Sequence, residues 1–481
     1  MKLFSKLALY GFTTILVLGG CKKDWDGHNS VTDERLTSDL LTLLKGTTNL
    51  SKFADMVVKA GYDTVLASSK TFTLFAPTND ALASLDPGIV SDPDKLKAFV
   101  SNHIASQSFF TAKVTDTARI EMLSGKYQNM LGKKVDNAAI VSADQLAKNG
   151  VLQVIDKMLP VLPTCWEAMT VSPDFPANQA DFLERLNYLG FDPETAEVVG
   201  IDPNTGEPIY KPGTGMVESN YYWDKVYDLR DEEEQYTYFA IENDGFSSEI
   251  NKYRPYFNTG VSESTDSVAS LHVLRDLAVK GKYEPAQLPD TLLSKFGTKV
   301  GIDKSQIRKT IPCSNGIIYV MGSLPVAPSA KFRSRIIEAE DYLSASHNRR
   351  SNTYFRDRIN PLTGLPYRDI LVSGHGVAMF NLRYALSEMP TMKYKAYWVA
   401  VNDFQSGTFS QRLTIDSTTN DTKAPLPYVV VPVKTYSEVF IGEFTLNTFK
   451  SSLNIYLMAA NSTTSSANPI TCDYIRIEPV N

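Results

Sequence analysis

Four cysteines, five histidines and a scatter of carboxylates are the side chains of this 481-residue chain with the most chemistry to offer. Cys21 stands behind two small residues, Gly19 and Gly20, at the end of an apolar stretch. Cys165, Cys313 and Cys472 are an odd set with no CxxC spacing, which indicates neither a zinc site nor a disulfide framework. The spacing leaves a bridge between Cys165 and Cys313 open, but buried thiols acting as small hydrophobes are the expectation. Five histidines over this length offer little for acid–base work, and GxSxG, HExxH and GxxxxGK(S/T) are all absent. The acid run Asp231, Glu232, Glu233 and Glu234 reads as a solvated loop. Paired carboxylates for glycoside hydrolysis are a matter of spacing in the fold. The chain is therefore expected to bind rather than to catalyse.

Cys21 is delivered by the residues around it. Lys2 and Lys6 make a basic start, and residues 7–18 form an apolar run shorter than the roughly 20 residues of a bilayer-spanning helix. Leu18-Gly19-Gly20-Cys21 resembles the bacterial lipoprotein signal, which implies removal of residues 1–20 and acylation of Cys21 through a diacylglyceryl thioether and an amide-linked chain such as palmitate. Lys22-Lys23-Asp24-Trp25-Asp26 resembles the lysine-plus-acid signal that sends lipoproteins of one Gram-negative group to the cell surface. A solvated periplasmic tether is the other reading of residues 21–36. The expected location is the outer membrane, lipid-anchored and facing the cell exterior. A formal net charge of −6 argues against nucleic acid as a partner, because a basic face supplies most of that affinity. The length suggests about three domains.

Two stretches of the chain repeat. Phe75-Ala76-Pro77-Thr78-Asn79-Asp80 follows the strand-like Thr71-Phe72-Thr73-Leu74, and Phe239-Ala240-Ile241-Glu242-Asn243-Asp244 follows Tyr236-Thr237-Tyr238. Asn149-Gly150-Val151-Leu152-Gln153-Val154 then leads to Leu159-Pro160-Val161, as Asn315-Gly316-Ile317-Ile318-Tyr319-Val320 leads to Leu324-Pro325-Val326. An alternating strand with one buried face, then Asn-Asp capping a following helix, is the reading of the first block. Asn-Gly before branched residues is a hairpin signal. Amphipathic segments at 50–60 and 96–104 complete an α+β unit: a small sheet wedge with helices at one side.

Residues 73–82 and 149–156 resemble the two signatures of the fasciclin domain. The resemblance spans 37–163. It is weaker over 164–328, where Ile241-Glu242 replaces Pro-Thr and an insertion of about 192–234 is rich in Pro, Gly and Tyr, so the second copy reads as degenerate. Fasciclin domains are adhesion modules, and the resemblance implies a partner contact at the family's Tyr-His pair. Asn102-His103 stands there, with packing as the alternative role of His103 and Ala278 as its counterpart in the second copy. Cys313 matches Ala147, a small core position.

From 331 onward Thr, Ser, Tyr and Val dominate, and 396–401, 428–433, 439–444 and 452–458 read as strands of an all-β sandwich. Residues 337–342 and 472–477, with the strand after Lys395, resemble the first, last and central strands of jelly-roll carbohydrate-binding modules. That resemblance implies a structural calcium shared by Glu338, Glu340 and Asp473, the one cofactor expected; a solvated edge-strand face is the other reading of the two glutamates. Sugar binding needs exposed aromatic faces, for which Trp398, Tyr354, Phe355 and Tyr367 are the candidates. The expected fold is thus tandem α+β fasciclin-like domains followed by a jelly-roll-like sandwich at 331–481. The expected function is a surface lipoprotein binding glycan or a partner protein, as accessory to an outer-membrane nutrient importer. An adhesin contacting only protein is the alternative, and a glycosidase the remote one.

Overall fold

The computed structural model describes residues 37–416 and 426–480; Cys21, its lipoprotein signal and the tether lie outside them. Two compact units divide the chain. One runs through Trp166 and takes in Arg230–Gln235 and Pro312–Asn315, and the other holds Glu167–Leu229, Tyr236–Ile311 and Gly316–Asn481.

In the first unit a seven-stranded sheet runs in the order Ile104–Ala105, Phe72–Pro77, Gly150–Ile155, Ala138–Ala147, Lys134–Val135, Tyr127–Leu131, Ala118–Glu121. Phe72–Pro77 is buried on both faces rather than one. Phe72, Leu74 and Ala76 pack with Phe53 and Val57 of helix Ser51–Lys59 and Phe99 of helix Pro93–Ser101, while Phe75 joins Ile120, Met130 and Ile155 in a second core. Helix Pro93–Ser101 begins where Asp92 accepts from the backbone N–H groups of Asp94 and Lys95, with Pro93 at the first position. Asn79 does not cap the helix that follows it. Its Oδ1 accepts from Lys52 N at 3.0 Å, at the start of the earlier helix Ser51–Lys59. Asn149 likewise caps helix Leu40–Gly46 by accepting from Leu40 N at 2.9 Å.

The same long-range caps recur in the second copy: Asn243 accepts from Asn178 N at 3.1 Å at the start of helix Ala177–Glu184, and Asn315 from Cys165 N at 2.7 Å at the start of helix Cys165–Val171. The central pairing recurs too. Phe72–Pro77 lies parallel to Gly150–Ile155 with Phe72 opposite Gly150, and Tyr236–Ile241 lies parallel to Gly316–Met321 with Tyr236 opposite Gly316. The register corrects one alignment. Phe75 N donates to His103 O as Phe239 N does to Leu277 O, so the counterpart of His103 is Leu277 and not Ala278, which faces Tyr238 as Ile104 faces Leu74. Asn187–Phe191, just before the insertion, pairs with Met216–Asn220 inside it, and Val198–Ile201 pairs with Pro208–Tyr210.

The C-terminal region is an all-β, jelly-roll-like sandwich. A four-stranded sheet runs Arg335–Glu338, Tyr474–Pro479, Lys393–Trp398, Val439–Thr445, and a five-stranded sheet runs Ser344–Ala345, Asn381–Met389, Lys450–Ala459, Phe409–Ile415, Val429–Val431. A third sheet joins Thr353–Ile359, Pro366–Val372 and Ile470–Cys472. All three contribute to one core, with Ile475 and Trp398 from the first, Leu382, Leu413 and Ile455 from the second, Ile370 and Cys472 from the third. The sandwich shares its compact unit with the second α+β copy. Phe257 meets Phe449 edge-on at 5.7 Å, and Thr391 N and Phe449 N donate to the carbonyls of Tyr256 and Asn258. Cys165, Cys313 and Cys472 are all buried.

Candidate functional site

The hairpin of Thr353–Ile359 and Pro366–Val372 forms the edge of the three-stranded sheet and carries three of the four aromatic candidates. Because side chains alternate along a strand, Tyr354 lies on one face with Arg356, Arg358, Tyr367 and Asp369, and Phe355 on the other with Asp357 and Arg368. Tyr354 is 51% and Phe355 52% exposed, so both present ring surface, but on opposite faces rather than as one platform. Tyr367 is half-buried; burial first, then the carboxylates of Asp369 and Asp403, pushes its hydroxyl up to about 12. Trp398 is 1% exposed in the sandwich core and offers no face to a sugar.

On the Tyr354 face runs an ionic network. Arg356 binds Asp369 through Nε at 2.7 Å and again through Nη2, and binds Asp403 at 2.9 Å, while Arg358 reaches Asp403 at 2.8 Å. Asp369 is fully buried, and the two-pronged guanidinium contact satisfies it. The network fixes the rotamers of the Tyr354 face, giving the hairpin a rigid polar floor.

The three acids expected to share calcium are near one another but do not form a ligand set. Glu338 is exposed at the end of an edge strand, Glu340 half-buried and Asp473 buried. Burial, then the charges of Glu338, Asp369 and Glu340, raises Asp473 to about 7. Among the described residues no three His, Cys, Asp or Glu side chains come together as metal ligands.

In the first unit, His103 and Asn102 are fully buried. Leu159 N donates to His103 Nε2 at 3.0 Å, so Nδ1 carries the proton and donates to Phe99 O at 2.8 Å. Asn102 donates to the carbonyls of Leu159 and Pro160 and accepts from Ser124 Oγ at 2.8 Å. Both residues therefore clamp the chain after strand Gly150–Ile155 and present nothing to a partner. The acid run also departs from a solvated loop: Glu232 pairs with Lys126 at 2.7 Å and accepts from Ser314 Oγ at 2.6 Å.

The fasciclin-domain family model matches residues 48–162. Protein sll1483 of Synechocystis sp. is 31% identical over 144 residues, which take in 27% of this chain and 79% of that protein. The chain belongs to the fasciclin family. The fasciclin match covers helix Ser51–Lys59, the clamp at Asn102 and His103, and both central strands. Among solved structures, the domain pair from the insect cell adhesion molecule Fasciclin I is 15% identical, covering 59% of this chain and 98% of that one at a TM-score of 0.24. A family 35 carbohydrate binding module from Clostridium thermocellum is also 15% identical, covering 31% and 98% at a TM-score of 0.22.

Outside the fasciclin match lies a pair of features that sequence reading missed. Ile201-Asp202-Pro203-Asn204-Thr205-Gly206-Glu207-Pro208 and Ile359-Asn360-Pro361-Leu362-Thr363-Gly364-Leu365-Pro366 form the same hairpin tip. In each, the second residue's N–H donates to the seventh residue's carbonyl at 2.9 Å, and a glycine at φ 75° or 71° closes the turn. Ile201, Ile359, Leu362 and Leu365 are all well exposed. The signal was available as a five-position identity, Ile, Pro, Thr, Gly and Pro, with Asp or Asn second.

Proposed function

We propose that this protein is a cell-surface lipoprotein, anchored through Cys21, that binds glycan or a partner protein and performs no catalysis. The observation that carries the reading is the edge hairpin of the sandwich: Tyr354 exposes ring surface on the face of the rigid Arg356, Asp369 and Asp403 network, and Phe355 exposes its ring on the opposite face. Aromatic rings pack against the C–H face of a pyranose while neighbouring charged groups take its hydroxyls. Membership of the fasciclin family supports an adhesive setting, and the repeated register and asparagine caps support a degenerate second fasciclin copy over 164–328. The twin hairpin tips favour the second reading, an adhesin or assembly component that contacts only protein, because their exposed isoleucines and leucines suit an apolar protein surface better than a sugar.

Glycan-array binding by the full chain, compared with Tyr354→Ala and Phe355→Ala, tests the first reading. A signal lost in either variant supports it, and silence on neutral and acidic glycans leaves the protein-only reading. Cys21→Ala is expected to leave the membrane fraction or to stop maturing; unchanged processing and retention would remove the lipid anchor. Co-purification of an outer-membrane importer with the wild-type chain would support the accessory role. A hydrolytic rate abolished by one Asp or Glu substitution would overturn the absence of catalysis.

A further inference from the structure

A cleft of about 450 Å³ lies in the second unit between the second α+β copy and the sandwich. Its polar lining is unbalanced. Four cations face it, Arg275, Lys331, Arg333 and Arg335. Lys331 is neutralised by Asp276, and Arg275 pairs through Nη1 with Glu388 at 2.7 Å. Arg333 and Arg335 are exposed and make no ion pair among the described residues, so positive charge is in excess.

Two further nitrogens in the lining are buried and have no hydrogen-bond partner: Nε of Arg275 and Nδ1 of His272. His272 is only 2% exposed and stacks on Phe257 at 3.8 Å. Burial, helped by Arg275 and Lys331, holds it far below the usual histidine range, so near neutral pH it is an uncharged ring with one N–H to give. Each buried group left unpaired costs about 1–3 kcal/mol, which an acceptor atom supplied by a ligand would relieve.

Glu388 indicates what kind of acceptor fits. It is the only acid in the lining, and it reaches Arg275 from a backbone at φ 52°, a left-handed conformation uncommon outside glycine. Its side chain is 40% exposed, so the carboxylate is held by the ion pair rather than by packing. The guanidinium plane is itself fixed by lying 4.5 Å from the Phe296 ring. A planar fork thus already carries one carboxylate on Nη1 while its Nε edge is unused. Phe296, Phe332, Met389 and Pro390 provide apolar wall for the rest of a ligand.

We propose that this cleft binds a small organic carboxylate with an apolar body, held by Arg275, His272 and Arg333 in competition with Glu388. A singly charged planar group matches the fork, whereas inorganic phosphate would ask for more donors and would gain nothing from the apolar wall. The proposal stands apart from the glycan reading, since the cleft shares no residue with the Tyr354 and Phe355 hairpin.

Calorimetric titration of the full chain with benzoate, hexanoate, glucuronate and phosphate tests it. Benzoate or hexanoate is expected to bind, and Arg275→Gln to weaken that binding by roughly tenfold or more. Arg333→Gln, an exposed change that leaves the fold alone, is expected to weaken it by roughly threefold. Glu388→Gln is expected to tighten it, because the internal competitor is gone; a merely structural ion pair would give the opposite sign. Binding of neither apolar acid at about 10 mM, glucuronate or phosphate binding as tightly as they do, or affinity unchanged in both Arg275→Gln and Arg333→Gln would overturn the proposal.

Discussion

Asp276 and Lys331 form an ion pair in which each side chain is 1% exposed. Asp276 occupies in the second copy the place of Asn102 in the first: Ser294 Oγ donates to it at 2.5 Å as Ser124 Oγ donates to Asn102 at 2.8 Å. Where Asn102 ties down a chain carbonyl, Asp276 ties down Lys331, whose ammonium also reaches His272 O. Burial lowers the lysine below its usual range even with Asp276 against it. Asp276→Asn leaves a buried ammonium without its counter-charge and should cost about 3–5 kcal/mol. The double variant Asp276→Asn with Lys331→Met should recover most of that loss. Urea unfolding of wild type, the two single variants and the double variant checks it, and a double variant as unstable as Asp276→Asn alone would show the pair is not the cause.

His103→Ala should destabilise the first unit by about 2–4 kcal/mol, since it removes a buried ring and strips Leu159 N of its acceptor. The wild-type residue also sets a pH response. Burial lowers His103 to about 4 from its ordinary 6.5, so the unfolded chain takes up the proton first as pH falls. Its contribution to stability is complete above pH 6.5 and is lost progressively down to about 4. A variant whose melting temperature showed the same acid dependence as wild type would place that dependence elsewhere.

Asp473 has the opposite sign. Its carboxyl is raised to about 7 from 3.8, so with rising pH the unfolded chain ionises first and the folded state loses stability between those values. Asp473→Asn keeps the shape and removes the charge. The variant should melt higher than wild type at pH 8 and the same at pH 4, as differential scanning calorimetry would show; equal melting at pH 8 would mean that burial and the neighbouring acids do not burden the charge.

Gly150→Ala should prevent the first unit from folding. A Cβ there would stand 1.9 Å from Phe72 O, at a φ of 148° that side chains rarely adopt. Neither the backbone of Phe72 nor the parallel pairing can yield, so a cost of about 4 kcal/mol or more is expected. Circular dichroism of the variant with native helix and strand signals intact would contradict the requirement for close approach.

Several expectations failed for one reason, that a side chain's surroundings are not written in its neighbours along the chain. Trp398 and Tyr354 were both candidates for a sugar-facing ring, yet one is core and the other faces solvent, because Lys393–Trp398 is central in its sheet and Thr353–Ile359 is at an edge. Glu232 lies in an acid run that looks solvated, and only the fold brings Lys126 against it. Asn79 and Asn149 were rightly marked by their motifs, but the helical N–H groups they accept from lie 27 and 109 residues earlier.

The sequence by itself determined the repeat and the all-β character after 331, because hydrophobic period, turn chemistry and Asn-Gly punctuation act over a few residues, and it carries the residues that resemble the fasciclin signatures. Tertiary structure alone decided which residues face solvent, which acids meet which cations, and that His103 clamps rather than contacts. Those outcomes depend on desolvation and on charges brought together from distant segments. Arg275 and Glu388 are an instance: 113 residues apart in the chain, they meet across a cleft whose lining no local pattern marks.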